Sequence, residues 1–323
     1  MADEFVDSVR RAIQRRGASV RSVARDLSYD HAYLSRVLSG KQSPSPQLAA
    51  SLDAYLGAEG AVIDLAASLT GDARERIRRA ADCPTRIDGS AVGALSDVLA
   101  AQRRLDDVLG PVPMLRSISA QAASARELLR EARGPHRAAL ADVVAEWVQF
   151  EGWLYASARD DGRAKALLDE ALDLADESGS PVLTAQALNF RGYVSRQQGR
   201  PVAVARWFLA AYQTPGAHPA QRMGDAAQAA QGYAELGQRD EARRLLDEAA
   251  NLADAAADQP PDTAYWLTPS FQRLNLGLAH LALGEPADAA EHIRGGLAGL
   301  PADQQGAEWS VEYREALQVA EAA

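Results

Sequence analysis

Residues 19–46, SVRSVARDLSYDHAYLSRVLSGKQSPSP, predict two short helices joined by a tight turn. In the first helix, apolar side chains recur at intervals of three, one and three residues, which places them on one face: Val20, Val23, Ala24 and Leu27. Asp30 is suited to cap the second helix, because its carboxylate can accept hydrogen bonds from free backbone N–H groups of the first turn. The stretch therefore predicts a compact helical pair.

The second helix has an apolar face directed inward, formed by Leu34, Val37 and Leu38. With Leu34 in the core, a rotation of about 100° per residue points Ala32 and Arg36 outward. His31, Tyr33 and Ser35 then lie on the flanks. Such a helix, held by its partner and carrying polar and basic side chains outside, is what enters the major groove of DNA.

The stretch resembles the lambda-repressor-like (Xre) helix-turn-helix domain, and the resemblance covers about sixty residues. Gly40-Lys41, followed by Pro44 or Pro46, matches the loop of that family. The resemblance implies two further helices, one over Asp3–Arg16 with Phe5, Val9 and Ile13 inward, and one over Pro46–Leu56 with Leu48, Leu52 and Leu56 inward.

The same resemblance implies a set of DNA contacts. Base contacts are expected from the exposed side of the second helix: His31, Ala32, Tyr33, Ser35 and Arg36, with Arg36 suited to a guanine. Phosphate contacts are expected from Arg21, Lys41 and Ser43. Two positions depart from the family. Ser28 replaces the usual glycine at a turn position that can require a positive φ, and Val20 replaces a glutamine that often contacts phosphate.

The distribution of charge favours DNA binding although the 323-residue chain has a formal net charge of −10. Between Ser8 and Lys41 there are eight basic and only two acidic residues. The acidic excess therefore lies in the rest of the chain. A basic head on an acidic body is a plausible footprint for a protein that binds nucleic acid, although a charged face that is merely solvated would give the same count.

Beyond residue 90 the chain is rich in alanine and leucine, and regularly spaced breaks predict helical hairpins. In four segments a small residue is followed after twelve positions by a small or aliphatic residue, after sixteen by an aliphatic or aromatic residue, and after nineteen by a small residue. The four sets are Gly152, Ala164, Leu168, Ala171; Gly192, Val204, Phe208, Ala211; Ala230, Ala242, Leu246, Ala249; and Gly277, Ala289, Ile293, Gly296. Small residues let the two helices of a hairpin touch, and the large residue is expected to fill the gap to the next hairpin.

This pattern resembles the tetratricopeptide repeat, with insertions in the loops. We expect one or two degenerate hairpins over residues 90–133 and a terminal capping helix over Trp309–Ala320. The fold class predicted is all-α, a helix-turn-helix bundle followed by a tetratricopeptide-like α-solenoid. The predicted domains are residues 1–60 (DNA binding), 61–89 (a partly helical connector) and 90–323 (ligand or partner sensing and dimerisation).

A solenoid of this kind has a concave groove lined by the first helix of each hairpin. The helix faces opposite the small packing residues predict ligand contacts by Gln149, Trp153, Gln186, Asn189, Tyr193, Arg196, Gln228, Gln231, Phe271 and Leu274. Amide side chains suit the clamping of a peptide backbone, because they donate and accept at once. The alternative is that these are ordinary surface polar residues and aromatic residues that pack between repeats.

Catalysis, metals and membranes find little support in the sequence. The five histidines are scattered, and we expect none to pair with a cysteine or carboxylate at metal-ligand spacing. No phosphate-binding loop, dinucleotide fingerprint or nucleophile elbow is present. A single cysteine, Cys83, excludes an internal disulfide. No apolar segment approaches the ~20 residues that span a bilayer. We therefore expect a cytoplasmic protein that is not an enzyme, without cofactor, catalytic residue or metal.

Together these features resemble actinobacterial helix-turn-helix regulators with such repeats, and peptide-pheromone-responsive receptors of similar architecture. The resemblance implies a homodimer that binds double-stranded operator DNA and senses a peptide, a small molecule or a protein partner. The alternative function is a protein-interaction adaptor or antitoxin-like partner, in which the head binds protein.

Overall fold

The computed structural model describes residues 2–39, 41–42, 44–57, 84–256, 260 and 264–323, and all regular elements in these ranges are helical. The chain divides into two compact units, residues 1–97 and 98–323. The all-α prediction, with a helix-turn-helix followed by repeated helices, is confirmed. The connector expected at 61–89 falls largely on residues outside the described ranges.

The first unit contains a bundle of four helices: α1 (Ala2–Arg15), α2 (Val20–Asp26), α3 (His31–Leu38) and α4 (Pro46–Leu56). A 3₁₀ turn, Pro84–Arg86, precedes α5 (Gly89–Leu109). The predicted bounds of the fourth helix are those observed. They are well marked in the sequence, because Ser45 caps the start through its side chain, proline follows, and Gly57 ends the helix with a left-handed backbone.

The core of this bundle is formed by the apolar faces that the sequence predicted. Its buried members are Val9, Ile13, Val23, Ala24, Leu34, Val37, Leu38, Leu48, Ala49 and Leu52, whereas Val20, Leu27 and Leu56 are only partly buried against it. The side chain of Phe5, also expected inward, lies outside the described residues. The two helices of the predicted pair are therefore held by one shared core.

Both helices of the pair are capped at their N-termini by side chains. The Ser22 N–H donates to Ser19 Oγ (3.1 Å) while Ser22 Oγ donates to the Ser19 carbonyl (2.8 Å). The Tyr33 N–H donates to Asp30 Oδ1 (2.7 Å), which confirms the predicted cap of α3. Such caps satisfy backbone donors that the helix itself leaves free.

The second unit continues with helices joined mostly by short turns. They are α6 (Pro111–Glu131), α7 (Arg137–Ser157), α8 (Asp161–Ser178), α9 (Pro181–Gln197), α10 (Pro201–Tyr212), α11 (Pro219–Glu235), α12 (Arg239–Asn251), α13 (Ala253–Ala256), α14 (Pro269–Ala282), α15 (Pro286–Ala298), α16 (Ala302–Gln305) and, after a 3₁₀ turn at Glu308–Ser310, α17 (Val311–Ala322). Helix α6 packs along α7, and α17 covers α15 and α14, as expected of a terminal helix.

The four repeated sets correspond to the hairpins α7–α8, α9–α10, α11–α12 and α14–α15. A Cβ atom added at Gly192 would lie 2.8 Å from the ring of Phe208, and one added at Gly152 would lie 3.0 Å from Leu168. Gly277 meets Ile293 in the same way. In these three sets the large residue thus packs on the small residue of its own hairpin. It also lies in one core with the element that follows, Phe208 with Ala229 and Ala230 and Leu168 with Phe190, as the sequence predicted.

The turn inside each hairpin adds a position to the repeat that the sequence reading missed. Seven residues after the small residue of each set, the backbone is left-handed, with φ of 64° at Arg159, 61° at Gly199, 75° at Gly237 and 73° at Gly284. At each turn two backbone N–H groups return to carbonyls of the preceding helix. Glycine suits this conformation because it has no Cβ, so Arg159 is the exception among the four.

Candidate functional site

The exposed side of α3 carries most of the residues predicted to contact bases. His31 and Ser35 are exposed, and Ala32, Tyr33 and Arg36 are partly exposed. Because Leu34, Val37 and Leu38 are buried on the opposite side, α3 is held by its apolar face and presents the other. Of the predicted phosphate contacts, Arg21 and Lys41 are exposed, whereas Ser43 lies outside the described residues.

Two of these side chains are held by the segment that follows α3. The Ser45 N–H donates to the hydroxyl of Tyr33 (3.0 Å), so Tyr33 also anchors the start of α4. Arg36 Nε donates to Gln42 Oε1 (3.0 Å), and the Lys41 N–H donates to the Arg36 carbonyl (3.0 Å). Gln42 was not predicted. Its sequence signal is a polar side chain directly after the basic residue of the loop.

The surface of the first unit is basic around this helix. Exposed arginines come from α1, α2 and the turn between them: Arg10, Arg11, Arg16, Arg21 and Arg25. Arg25 is neutralised in part by Asp26, at 3.2 Å and largely in solvent. Such exposed guanidinium groups suit the phosphates of a nucleic acid, since they are always charged and their planar shape matches a phosphate.

The second unit contains a cavity lined by aromatic and charged side chains, which we call the aromatic cavity. Its volume, which includes open solvent at the mouth, is about 970 Å³. It is bounded by residues of α5, α7, α9, α11, α14 and α17, of the segment before α14 and of the 3₁₀ turn before α17. Its aromatic members are Phe150, Trp153, Phe190, Tyr193, Tyr265, Trp266, Phe271, Trp309 and Tyr313. Aromatic walls that carry a few polar groups are typical of a site for a small organic molecule.

Seven of the ten predicted groove residues line the aromatic cavity: Trp153, Gln186, Asn189, Tyr193, Arg196, Gln228 and Phe271. The other three lie elsewhere. Gln149 is fully buried and its Nε2 donates to the Leu183 carbonyl (2.6 Å). Gln231 donates to Glu235 on its own helix (2.9 Å). Leu274 is fully buried in the core between α14, α15 and α17.

Packing between helices explains why Gln149 and Leu274 were misplaced, whereas Gln231 bonds within its own helix. The helix face opposite the small residues contacts the neighbouring hairpin as well as the cavity. There, buried amides bind the backbone of the adjacent helix: besides Gln149, Gln221 donates to the Val182 carbonyl (2.9 Å) and Gln272 to the Ala220 carbonyl (2.7 Å). The amides bind a peptide backbone, as expected, but this backbone belongs to an adjacent helix of the same chain.

Four buried or half-buried acidic side chains line the cavity. Trp153 Nε1 donates to Asp106 (2.9 Å). Tyr265 Oη and Trp309 Nε1 donate to Asp107 (2.7 and 3.1 Å), and Asn189 Nδ2 donates to Asp225 (2.5 Å). Arg196 binds Glu312 on α17, with 2.8 Å between Nε and Oε1. Most of the cavity's polar groups therefore already have partners within the protein.

Burial raises the pKa of several groups on this wall, including Tyr265 and Tyr313. The pKa of Asp106 is raised to about 6, because burial disfavours its charge and outweighs the hydrogen bond from Trp153. Burial raises the pKa of Asp225 well above its ordinary value, against the opposing effect of Asn189. The pKa of Tyr193 rises to about 12, again mainly through burial. Perturbed carboxyl groups in a cavity are typical of functional sites.

Sequence reading missed several residues of the cavity. Asp106 and Asp107 lie in a helix expected to be a degenerate hairpin, and Trp309, Glu312 and Tyr313 in one expected only to cap the solenoid. Asp225 had a usable signal, since a carboxylate interrupts a run of small residues, MGDAAQAA, in which packing favours alanine.

The expectation that no histidine pairs with a carboxylate is wrong for His280. His280 Nδ1 lies 2.9 Å from Glu285 Oε2, and Asp288 approaches both, with the three ligand atoms within 4.8 Å of one another. Arg243 already binds Glu285 (2.9 Å), so a guanidinium neutralises this cluster. The ring of His292 stacks on His280 at 5.2 Å. Together these contacts form a network that links neighbouring hairpins.

Among the described helices, none combines the length and the apolar character needed to cross a bilayer. No curated protein matches the chain. Residues 4–66 match the family model of a helix-turn-helix domain, and this range includes most of α1 and all of α2–α4, with the exposed face of α3. The N-terminal part of the chain is therefore a helix-turn-helix domain.

Proposed function

We propose that the chain is a sequence-specific DNA-binding transcriptional regulator of the Xre type, whose repeat unit senses a ligand. The observation that carries the proposal is the helix-turn-helix domain, in which a capped and buried α2–α3 pair leaves one face of α3 open. The partner is double-stranded operator DNA, and the place of action is the cytoplasm. Such a protein regulates by binding and has no catalytic role.

The roles of single residues follow from the position of α3 in the major groove. His31, Ala32, Tyr33, Ser35 and Arg36 read base edges. Gln42 acts through Arg36, because its hydrogen bond to Nε fixes the direction of the guanidinium. Arg21, Lys41 and Ser43 hold phosphates and thereby set the register.

A gel shift with the DNA upstream of the protein's own gene tests the proposal. At low salt the protein should retard a specific fragment, and Arg36→Ala should cost about 1–3 kcal/mol on that fragment alone. Lys41→Ala should weaken binding to all DNA and flatten its salt dependence. Arg130→Ala, which removes an exposed arginine of the repeat unit, is the control and should change neither.

Two outcomes contradict the proposal. Equal loss of affinity for specific and nonspecific DNA in Arg36→Ala would remove Arg36 from base reading. Absence of any shift at low salt would favour the alternative function, an interaction adaptor or antitoxin-like partner whose head binds protein.

The repeat unit is proposed to be tetratricopeptide-like and to hold the effector in the aromatic cavity. The small residue, the left-handed turn after seven positions and the large residue after sixteen recur in four hairpins. The Arg-rich, Lys-poor composition supports an actinobacterial type of regulator. The effector, a peptide, small molecule or protein partner, acts by changing how the DNA-binding heads are presented.

A homodimer is proposed because one short recognition helix makes few base contacts, and two half-sites multiply them. Helix α5 offers a surface that a second copy of the chain could cover. It buries Arg103, Asp106 and Asp107 while leaving Leu105 and Val108 exposed by 43% and 66%. Since exposed aliphatic side chains on a helix favour association, Val108→Glu should convert dimers to monomers in sedimentation experiments. Val319→Glu, at another exposed valine, should not.

A further inference from the structure

Two carboxylate oxygens on the wall of the aromatic cavity have no hydrogen-bond partner among the residues that the structure describes. Asp225 is fully buried, and its Oδ1 accepts from Asn189 while its Oδ2 accepts from nothing. Asp106 is 8% exposed, and its Oδ2 accepts from Trp153 while its Oδ1 is unpartnered. Buried polar atoms are nearly always paired, because leaving them dry and unpaired is costly. The two oxygens therefore indicate a donor that comes from outside the chain.

The arginines of the cavity wall do not neutralise these two groups. Arg103 pairs with Glu146 (3.1 Å) and Arg196 with Glu312 (2.8 Å). Neither Asp106 nor Asp225 forms an ion pair within the described part of the chain. A ligand that brought a negative charge would meet two further acidic groups at short range, so an anion is disfavoured.

Aromatic rings surround the same space and supply a second feature that favours a cation. The Trp153 ring lies 4.9 Å from that of Tyr193 and 5.3 Å from that of Phe190, and Trp266 stacks on Phe190 at 6.1 Å between centroids. The face of an aromatic ring attracts a cation, and the attraction is strongest where water is excluded. Rings together with partly unpaired carboxylates are the chemistry that recognises organic ammonium groups.

We propose that the aromatic cavity binds the ammonium group of an amine with an apolar or aromatic body. The proposal rests on the sensing role given to the repeat unit above, and it names the chemical class of the effector. The ammonium donates to Asp106 Oδ1, beside Trp153, and the body of the ligand lies against the rings of Trp153, Phe190 and Trp266. A second acidic group, Asp225, lines the same cavity. A free amine and the N-terminus of a peptide offer the same group.

The test is calorimetric titration of the full chain, without DNA, with phenethylammonium and its uncharged counterpart 2-phenylethanol. The ammonium should bind at least about tenfold more tightly, the least expected for hydrogen bonds to a charged group. Fluorescence of the cavity tryptophans provides a second readout. A peptide Phe-Gly-Gly and its N-acetyl form distinguish a peptide N-terminus from a free amine as the source of the ammonium group. Tighter binding of the free peptide than of phenethylammonium assigns the site to a peptide N-terminus. The reverse assigns it to a free amine.

Variants separate this site from binding of cations elsewhere on an acidic surface. Asp106→Asn keeps an acceptor for Trp153 and removes the charge, so it should lose about tenfold in ammonium affinity. Asp225→Asn keeps an acceptor for Asn189 and should also weaken ammonium binding. Asp247→Asn, at an exposed position on α12, should lose none. If melting curves show that Asp225→Asn does not fold, Asp106→Asn decides the question.

The proposal is overturned if the neutral alcohol binds as tightly as the ammonium, if neither probe binds, or if the control variant loses as much as the cavity variants. Because these titrations contain no DNA, their result is independent of the gel shift. Failure to bind DNA would remove the regulatory role and leave the amine site standing.

Discussion

Ser28 has a left-handed backbone conformation, which is strained for a residue with a side chain and which the sequence could predict. Its φ is 58°, and with Tyr29 it closes α2 through two backbone hydrogen bonds, Ser28 N–H to the Arg25 carbonyl (3.1 Å) and Tyr29 N–H to the Ala24 carbonyl (2.8 Å). This is the Schellman ending of a helix, in which glycine is usual. Because the family position favours glycine, the positive φ could be expected before the structure was known.

Replacing Ser28 by glycine should therefore stabilise the helix-turn-helix domain. We expect Ser28→Gly to raise the free energy of unfolding by about 1 kcal/mol, the usual cost of a left-handed backbone with a side chain. Urea unfolding followed by circular dichroism measures it. Ser39→Gly, in a right-handed turn, is the control and should not stabilise. An unchanged or lower stability of Ser28→Gly would contradict the strain argument.

At the scale of helices, the sequence predicted what depends on local signals and apolar periodicity. Helix α4 was predicted to the residue because serine, proline and glycine mark its ends. The role of helix α5 was not predicted. Apolar periodicity identifies a buried face only where apolar residues are buried, whereas α5 buries Arg103 and Asp106. The reason lies in contacts more than forty residues away, to Glu146 and Trp153, which no local pattern contains.

Each hairpin depends on the close approach of its small residue and the large residue sixteen positions later. Gly192→Ala would place a Cβ 2.8 Å from the fully buried ring of Phe208. We expect a loss of about 1–3 kcal/mol in stability, as for overpacked cores, and partial recovery in the double variant with Phe208→Leu. Thermal and urea unfolding provide the measurement.

The matched control for this variant is another helical glycine with free space around it. A Cβ at Gly93 of α5 would meet no atom of the described residues within 4 Å, so Gly93→Ala should be neutral or gain about 0.5–1 kcal/mol from helix propensity. Equal effects at the two glycines would show that propensity, and not contact between the helices, governs the hairpin.

For the whole molecule, the aromatic cavity makes stability depend on pH. Burial, together with Asp107 and Glu308, raises the pKa of Asp106 from 3.8 to about 6, against the hydrogen bond from Trp153. The folded state therefore holds this proton to higher pH than the unfolded state does. Since stability falls with pH wherever the folded state binds more protons, this contribution is complete below about pH 4 and is lost as pH rises to about 6. The buried Asp225 acts in the same direction.

The pH dependence of stability can be measured as a difference between the protein and Asp106→Asn, which cancels the titration of other carboxyl groups. Between pH 4.5 and 6.5 the protein should lose stability relative to the variant, by at most about 3 kcal/mol over the full shift. A flat difference would mean that Asp106 keeps an ordinary pKa. The affinity for an ammonium ligand should depend on pH in the opposite direction. The ligand requires the ionised carboxylate, so protons compete with it. Its affinity for the protein should therefore rise over the same pH interval in which the stability of the free protein falls.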